Sequence, residues 1–127
     1  MPGARRARTR YAVFRSSSSG CGCDHTFVLD HSYADNRSLL PAVTLVDPGS
    51  SRKLDVATTQ PGTQVSSGNV FGGSDVGTSD RMYRQDDGIA LETQHVPDSP
   101  NQHQFPSPVL RPGEELISTT DYAVETA

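Results

Sequence analysis

Glycine and proline interrupt this chain so often that little room remains for long helices. The 127 residues include 11 glycines and 9 prolines, and proline both lacks a backbone N–H and fixes its own φ angle. Between these interruptions lie short runs rich in valine, threonine, leucine and isoleucine, which favour strands. The pattern therefore predicts an all-β protein of short antiparallel strands, either a β-sandwich or part of one.

The strand-forming runs are separated by recognisable turns. Residues 42–48 and 52–60 are joined by "PGSS" and predict a β-hairpin. The last run, residues 114–126, is entered through "RPG" and predicts a long final strand. The remaining runs are residues 25–30, 63–71 and 88–94.

The basic residues are concentrated at the amino terminus. Arg5, Arg6, Arg8, Arg10 and Arg15 supply five of the eleven basic residues, and no acidic residue precedes the aspartate at position 24. The rest of the chain therefore carries a strongly negative net charge, so no nucleic-acid partner is expected. Residues 1–20 are predicted to form an Arg- and Ser-rich tail. An organelle-targeting segment, a solvated tail and a misassigned gene start remain open explanations.

Cys21 and Cys23 are the only cysteines of the chain. A Cys-x-Cys pair is too close for an ordinary unstrained disulfide, and it lacks the second ligand pair of a zinc site. Without a disulfide framework, a reducing, cytoplasmic location is the expectation. No apolar run approaches the roughly 18–20 residues of a membrane span, so no membrane association is expected.

The stretch "GIALETQHVPDSPNQHQFP", residues 88–106, places a carboxylate in a strand. Residues 89–91 are apolar and indicate the start of a buried strand, and Glu92 follows directly. An unpaired buried carboxylate is energetically costly. Glu92 is therefore either exposed and without a special role, or it lies in a cleft and has a function.

The segment after this strand contains five prolines, at positions 97, 100, 106, 108 and 112. Because each proline restricts the backbone, the segment is expected to be a stiff, ordered surface loop. Such a loop beside a strand end is either a place for binding groups or a structural connector.

Four stretches occur in an order and spacing that are familiar from one protein family. Together they resemble the C-terminal part of the aldose 1-epimerase (galactose mutarotase) family, over about residues 21–126. The third stretch, with its "LETQ…PDSPNQ…FP" pattern, is the most specific. The stretches are "GCDHTFVLD" (22–30), "LDVATTQPGTQVSSGN" (54–69), "GIALETQHVPDSPNQHQFP" (88–106) and "VLRPGEELISTTDY" (109–122).

The resemblance implies a large antiparallel β-sandwich that holds a sugar in an open cleft, with no metal and no organic cofactor. It implies an activity that interconverts the α and β anomers of free hexoses such as glucose and galactose. By resemblance, Glu92 is the general base that removes the proton of the C1 hydroxyl. Asp24 matches an aspartate that hydrogen-bonds sugar hydroxyls, and Gln64 matches a glutamine that approaches the substrate.

The family's upstream half supplies two histidines, one of which protonates the ring oxygen. No histidine of this chain lies in the matching context, and His31, in "HSY", falls where the family has a variable loop. The chain is therefore expected to be truncated, with residues 21–127 forming the C-terminal part of the sandwich and with incomplete sheet edges that favour self-association. Two interpretations remain open: a mutarotase, and a non-catalytic remnant that binds carbohydrate weakly or depends on a partner chain.

Overall fold

A computed structural model describes residues 22–29 and 38–126, and these residues form an all-β fold, as the sequence predicts. The strands are β1 Asp24–Val28, β2 Leu40–Asp47, β3 Arg52–Thr58, β4 Gly62–Ser66, β5 Gly72–Val76, β6 Met82–Arg84, β7 Ala90–Gln94 and β8 Thr120–Thr126. One turn of 3-10 helix, Ser99–Asn101, follows β7. The predictions for residues 1–20, for Cys21 and for His31 lie outside the described residues.

The first sheet is three-stranded and antiparallel, with the order β1-β4-β7. Its central strand is the most buried, since Val65 is 3% exposed and Thr63 is completely buried. Val65 faces Leu91 across the sheet, and both follow the alternation of side chains in a strand. The face that carries these residues is the inner face of this sheet.

The second sheet has the order β2-β3-β8 and is also antiparallel. Its first two strands form the predicted hairpin, with Asp47 opposite Arg52. The Asp47 carboxylate stabilises the turn because its Oδ1 accepts a 3.0 Å hydrogen bond from the Gly49 N–H, and its Oδ2 accepts one from the Ser50 hydroxyl. An aspartate at this position of a turn commonly bonds the backbone two residues later.

The final strand is shorter than the sequence predicts. It begins at Thr120, and residues 114–119 form no strand. The reason is the length of its partner among the described strands, β3, which ends at Thr58 directly opposite Thr120. Beyond Thr58 the chain turns through Pro61 into β4, so none of the described strands continues beside the residues before Thr120.

The structure also contains a small hairpin, β5–β6, that the sequence pattern does not reveal. Its strands pair Gly72 with Arg84 and are rich in glycine and polar residues, which are weak strand formers. A ring contact supports it, with the centroids of Phe71 and Tyr83 5.8 Å apart. Gly77 closes the turn, where a Cβ atom would lie 2.2 Å from the Tyr83 hydroxyl.

The two three-stranded sheets are joined by a row of threonine hydroxyls. Thr93 Oγ1 in β7 lies 2.8 Å from Thr120 Oγ1 in β8, which lies 3.0 Å from Thr58 Oγ1 in β3. Thr58 in turn donates to the Thr119 carbonyl oxygen at 3.2 Å. Each hydroxyl can donate to the next, so the row satisfies its own hydrogen bonds. This arrangement fits part of a β-sandwich.

One face of the second sheet is apolar and partly uncovered. By register, Tyr122 and Val124 of β8 share this face with Leu54 and Val56 of β3. Val56 is 2% exposed, whereas Tyr122 is 59% and Val124 is 75% exposed. Burial on this face therefore falls from the central strand β3 to its neighbour β8.

The threonine row makes a testable contribution to stability. We expect Thr120→Val to lower the free energy of unfolding by about 1–2 kcal/mol, because Thr93 loses its hydrogen-bond partner. Thr126→Val is the matched control, since Thr126 is exposed at the other end of the same strand, and we expect it to change stability by less than about 0.5 kcal/mol. Urea unfolding followed by circular dichroism measures both. Equal effects of the two substitutions would show that the row contributes nothing.

Candidate active site

The polar residues singled out by the sequence meet on one face of the first sheet. Gln64, in the central strand, lies directly opposite Thr26 of β1 and directly opposite Glu92 of β7. Directly opposed residues of antiparallel strands project to the same face. Asp24 lies two residues before Thr26 and so shares that face. We call these four residues, Asp24, Thr26, Gln64 and Glu92, the polar row.

The amide of Gln64 is engaged at both ends. Its Nε2 donates a 2.5 Å hydrogen bond to Asp24 Oδ1, and its Oε1 accepts a hydrogen bond from the Thr26 hydroxyl. An amide can both donate and accept, which suits it to this bridging position. The structure therefore brings Asp24 and Gln64 into direct contact.

Glu92 is exposed, which is one of the two alternatives that the sequence left open, whereas its neighbour Leu91 is only partly exposed. Strand alternation explains the difference, because Leu91 points to the inner face and Glu92 to the other face. Within the described part of the chain, the Glu92 carboxylate forms no hydrogen bond or ion pair. A pocket of ≈ 330 Å³ belongs to the second sheet and contains none of the polar row; it is lined by Pro41, Val43, Thr44, Asp55, Val56, Ala57, Asp121 and Ala123.

The backbone immediately before Asp24 is clamped by the loop after β4. The Cys23 N–H donates to Ser67 Oγ at 2.8 Å, and the Cys23 carbonyl oxygen accepts from the Asn69 amide at 3.1 Å and from the Ser67 N–H at 2.9 Å. Gly22 is required here, since its φ is +53° and a Cβ atom would lie 1.8 Å from Asn69 Oδ1. The clamp thus determines where Asp24 enters the sheet.

Sequence reasoning missed both the clamp residues and Thr26. Thr26 could have been found, because the alternation of a strand places it on the same face as Asp24. Ser67 and Asn69 carried no such signal, since polar residues in a loop after a strand are common. Their role depends on contact with Cys23, which is distant in sequence.

The histidines that the structure describes do not join the polar row. His25 pairs with Val65 and so lies on the opposite face of the sheet from Asp24. His103 is exposed in the proline-rich loop. Among residues 22–29 and 38–126, no three His, Cys, Asp or Glu side chains converge to form a metal site, and no helix in these ranges is long and apolar enough to cross a membrane.

The proline-rich loop packs against β4 where it leaves β7. Val96 is 8% exposed. It packs closely against Gly62 of β4, since a Cβ atom added to this glycine would lie 3.3 Å from a γ-methyl group of Val96. The carboxylate of Asp98 then accepts hydrogen bonds from Asn101 Nδ2 at 2.6 Å and Gln102 Nε2 at 2.8 Å. These bonds close the loop a few residues beyond Glu92.

The pKa of Asp98 is lowered from its ordinary value of 3.8, chiefly because the Asn101 side chain donates to the carboxylate, with Gln102 as the second cause. A lowered folded-state pKa means that the ionised form is preferred in the folded loop. The carboxylate therefore stabilises the loop fully above pH 3.8 and loses this effect as the pH falls through the lower folded value.

We accordingly expect the loop to open below pH 3.8 before the sheets unfold. The side-chain NH₂ resonances of Asn101 and Gln102, followed by NMR from pH 6 downward, measure this opening. In Asp98→Asn the same resonances should show no such transition, because that side chain does not titrate. A transition that persists in this variant would assign the effect to another group.

Comparison with known proteins gives a consistent result. The sequence profile of the family described as Aldose 1-epimerase matches residues 6–123, which extends into the amino-terminal segment that carries no recognisable motif. The chain is 41% identical over 106 residues to a protein named galactose mutarotase from Mus musculus, covering 84% of this chain and 30% of that one. The human galactose mutarotase is 39% identical over 106 residues, with the same coverage.

A bacterial relative shows the same pattern. The protein named aldose 1-epimerase from Escherichia coli (strain K12) is 39% identical over 103 residues, which is 80% of this chain and 29% of that protein. The chain thus spans about 30% of the length of the curated relatives that it matches. The portion matched by the family profile includes the whole polar row.

Proposed function

Because this chain belongs to the aldose 1-epimerase family, we propose that its polar row is one side of a mutarotase active site that acts on free hexoses such as galactose and glucose. The observation that carries the proposal is the register that places Glu92 beside Gln64, which in turn contacts Asp24. Three polar groups from three separate strands therefore share one open face. Such a face can hold several hydroxyls of one sugar.

Mutarotation requires two proton transfers on opposite sides of the sugar. A base removes the proton from the C1 hydroxyl, and an acid protonates the ring oxygen. The ring then opens, the C1–C2 bond rotates, and the ring closes with the opposite configuration at C1. Each catalytic group must come within hydrogen-bond distance, roughly 2.6–3.2 Å, of the atom that it serves.

We assign the role of base to Glu92. Its side chain is exposed, so a hydroxyl can approach it. Since no described residue hydrogen-bonds its carboxylate, both oxygens are available to accept the C1 proton. This accessibility supports a proton-transfer role more directly than its position in a strand.

Asp24 and Gln64 are assigned to hold the sugar. The hydrogen bond between them uses one oxygen of Asp24 and one N–H of Gln64, which leaves the second carboxylate oxygen and the second N–H for substrate hydroxyls. Charge-assisted hydrogen bonds to a carboxylate are stronger than neutral ones. The pair therefore presents an acceptor and a donor at a fixed separation, an arrangement that matches neighbouring hydroxyls on a sugar ring.

A second candidate function is carbohydrate binding without turnover. The observation that favours it is the composition of the polar row, which contains Glu92 but no histidine that could protonate the ring oxygen. The polar row would then rely on a group outside it for this proton. Loss of one of two proton-transfer groups typically lowers a rate by about 10²–10⁴-fold.

The proposed base is tested by polarimetry of freshly dissolved α-D-glucose and α-D-galactose. We expect the chain to accelerate the change in optical rotation, and Glu92→Gln to remove this acceleration by about 10²-fold or more. Glu115→Gln is the matched control, because it removes the same charge from another exposed position. Equal acceleration by the wild type and Glu92→Gln would refute the role of Glu92.

The same samples separate the two candidate functions. If no acceleration occurs, sugar is titrated while the backbone NMR signals of residues 24, 64 and 92 are followed. Shifts confined to these signals would indicate binding without turnover. No response in either experiment would reject both functions for the isolated chain.

We also propose that the chain self-associates. Each three-stranded sheet has two unpaired edges in the described structure, and such edges favour pairing with other strands. Tyr122 and Val124 leave apolar surface exposed beside one of these edges, β8. Both features favour contact between copies, since contact removes apolar surface from water.

Sedimentation velocity at several concentrations tests this association. We expect larger species as the concentration rises, and we expect Val124→Lys to shift the distribution toward the monomer because it places a charge on the apolar face. Ala123→Lys adds the same charge to the opposite face of the same strand and is the control. A concentration-independent monomer of the wild type would contradict the proposal.

A cytosolic location is proposed as well. Cys23 is a free thiol, and cysteines in this number form no disulfide framework. These properties suit a reducing compartment. Fractionation of cells that produce the untagged chain is the direct test.

A further inference from the structure

The Gln64 side chain leans toward one of its two neighbouring strands. Glu92 lies directly opposite Gln64 in β7, and a glutamine amide paired in this way can donate to a glutamate carboxylate. Instead, both ends of the amide are bound to β1: Oε1 to the Thr26 hydroxyl and Nε2 to Asp24. The side chain is thus held away from the proposed base.

The chemistry of the three groups determines which end of the amide faces which partner. An ionised Asp24 only accepts hydrogen bonds, so it requires the NH₂ end of Gln64. The carbonyl end then faces Thr26, whose hydroxyl must donate its single proton to it. Thr26 is consequently the one donor that the described structure supplies to the Gln64 carbonyl oxygen.

We propose that Thr26 is a positioning residue that keeps the Gln64 amide on the β1 side and so leaves the Glu92 carboxylate free to accept a substrate proton. Without the hydroxyl, the Gln64 carbonyl oxygen loses its donor, and only the bond to Asp24 opposes rotation of the side chain. The amide can then donate to Glu92, its other neighbour across the sheet. A base that already accepts a hydrogen bond is a poorer proton acceptor.

The functional meaning of this inference rests on the proposed role of Glu92, but its structural content does not. Thr26→Val tests that content, because valine keeps the shape of threonine and suits a strand while it removes the hydroxyl. Thr26→Ser restores the hydroxyl without the methyl group. The comparison of the two separates the hydrogen bond from the packing of the side chain.

The deciding measurement is an NMR cycle on the sugar-free protein that reads the side-chain NH₂ resonances of Gln64. With threonine at position 26, we expect Glu92→Gln to leave these resonances in place, because the described structure has no hydrogen bond between Gln64 and Glu92. In the Thr26→Val background, the same Glu92→Gln change should move them. In the Thr26→Ser background they should again stay in place.

Two outcomes overturn the proposal. The first is a response of the Gln64 resonances to Glu92→Gln that is the same with threonine and with valine at position 26. The second is a serine variant that behaves like the valine variant although its backbone spectrum matches the wild type. Neither depends on turnover, so failure of the mutarotase assignment remains distinguishable from failure of this inference.

Where the chain accelerates mutarotation, a kinetic result follows. Thr26→Val should lower kcat by about two- to tenfold, the effect of one net hydrogen bond, and Thr26→Ser should recover most of the loss. An unchanged kcat in the valine variant would also count against the proposal.

Discussion

The candidate site depends on the pairing of β4 between β1 and β7. Asp24 and Glu92 are far apart in the chain, and they share one face only because each of their strands pairs with the central strand in a defined register. A shift of one residue would turn the side chains of the shifted strand to the opposite face. The buried inner face, with Thr63 and Val65, opposes such a shift because it would expose Val65 and bury polar groups.

The same sheet separates two kinds of chemistry. Its inner face carries apolar residues and Thr93, which joins the hydroxyl row to the second sheet. Its outer face carries the polar row, which remains accessible. Hydrogen bonds to Cys23 hold the backbone just before β1, and the hydrogen bonds of Asp98 close the loop just after β7. The backbone on both sides of the polar row is therefore held in place. Positions of this kind suit recognition of a small polar ligand.

Much of the strand pattern could be predicted from the sequence, and the exceptions have physical causes. The β2–β3 hairpin followed from a turn between two apolar runs. The β5–β6 hairpin did not, because the Phe71–Tyr83 contact and the Gly77 turn support it in place of alternating apolar residues. The predicted final strand is longer than the observed one, because strand propensity carries no information about where its partner, β3, ends.

For the candidate site, too, some features could be predicted from the sequence and others could not. Motifs in the sequence pointed to Asp24, Gln64 and Glu92 as residue types suited to sugar chemistry, whereas the projection of Leu91 and Glu92 to opposite faces is seen in the structure. The orientation of the Gln64 amide, its anchoring by Thr26 and the clamp of Asn69 on Cys23 were decided only by the tertiary structure. The physical reason is that local patterns determine which way a side chain projects from its own strand, whereas a hydrogen bond between strands also depends on which strand becomes the neighbour and in which register.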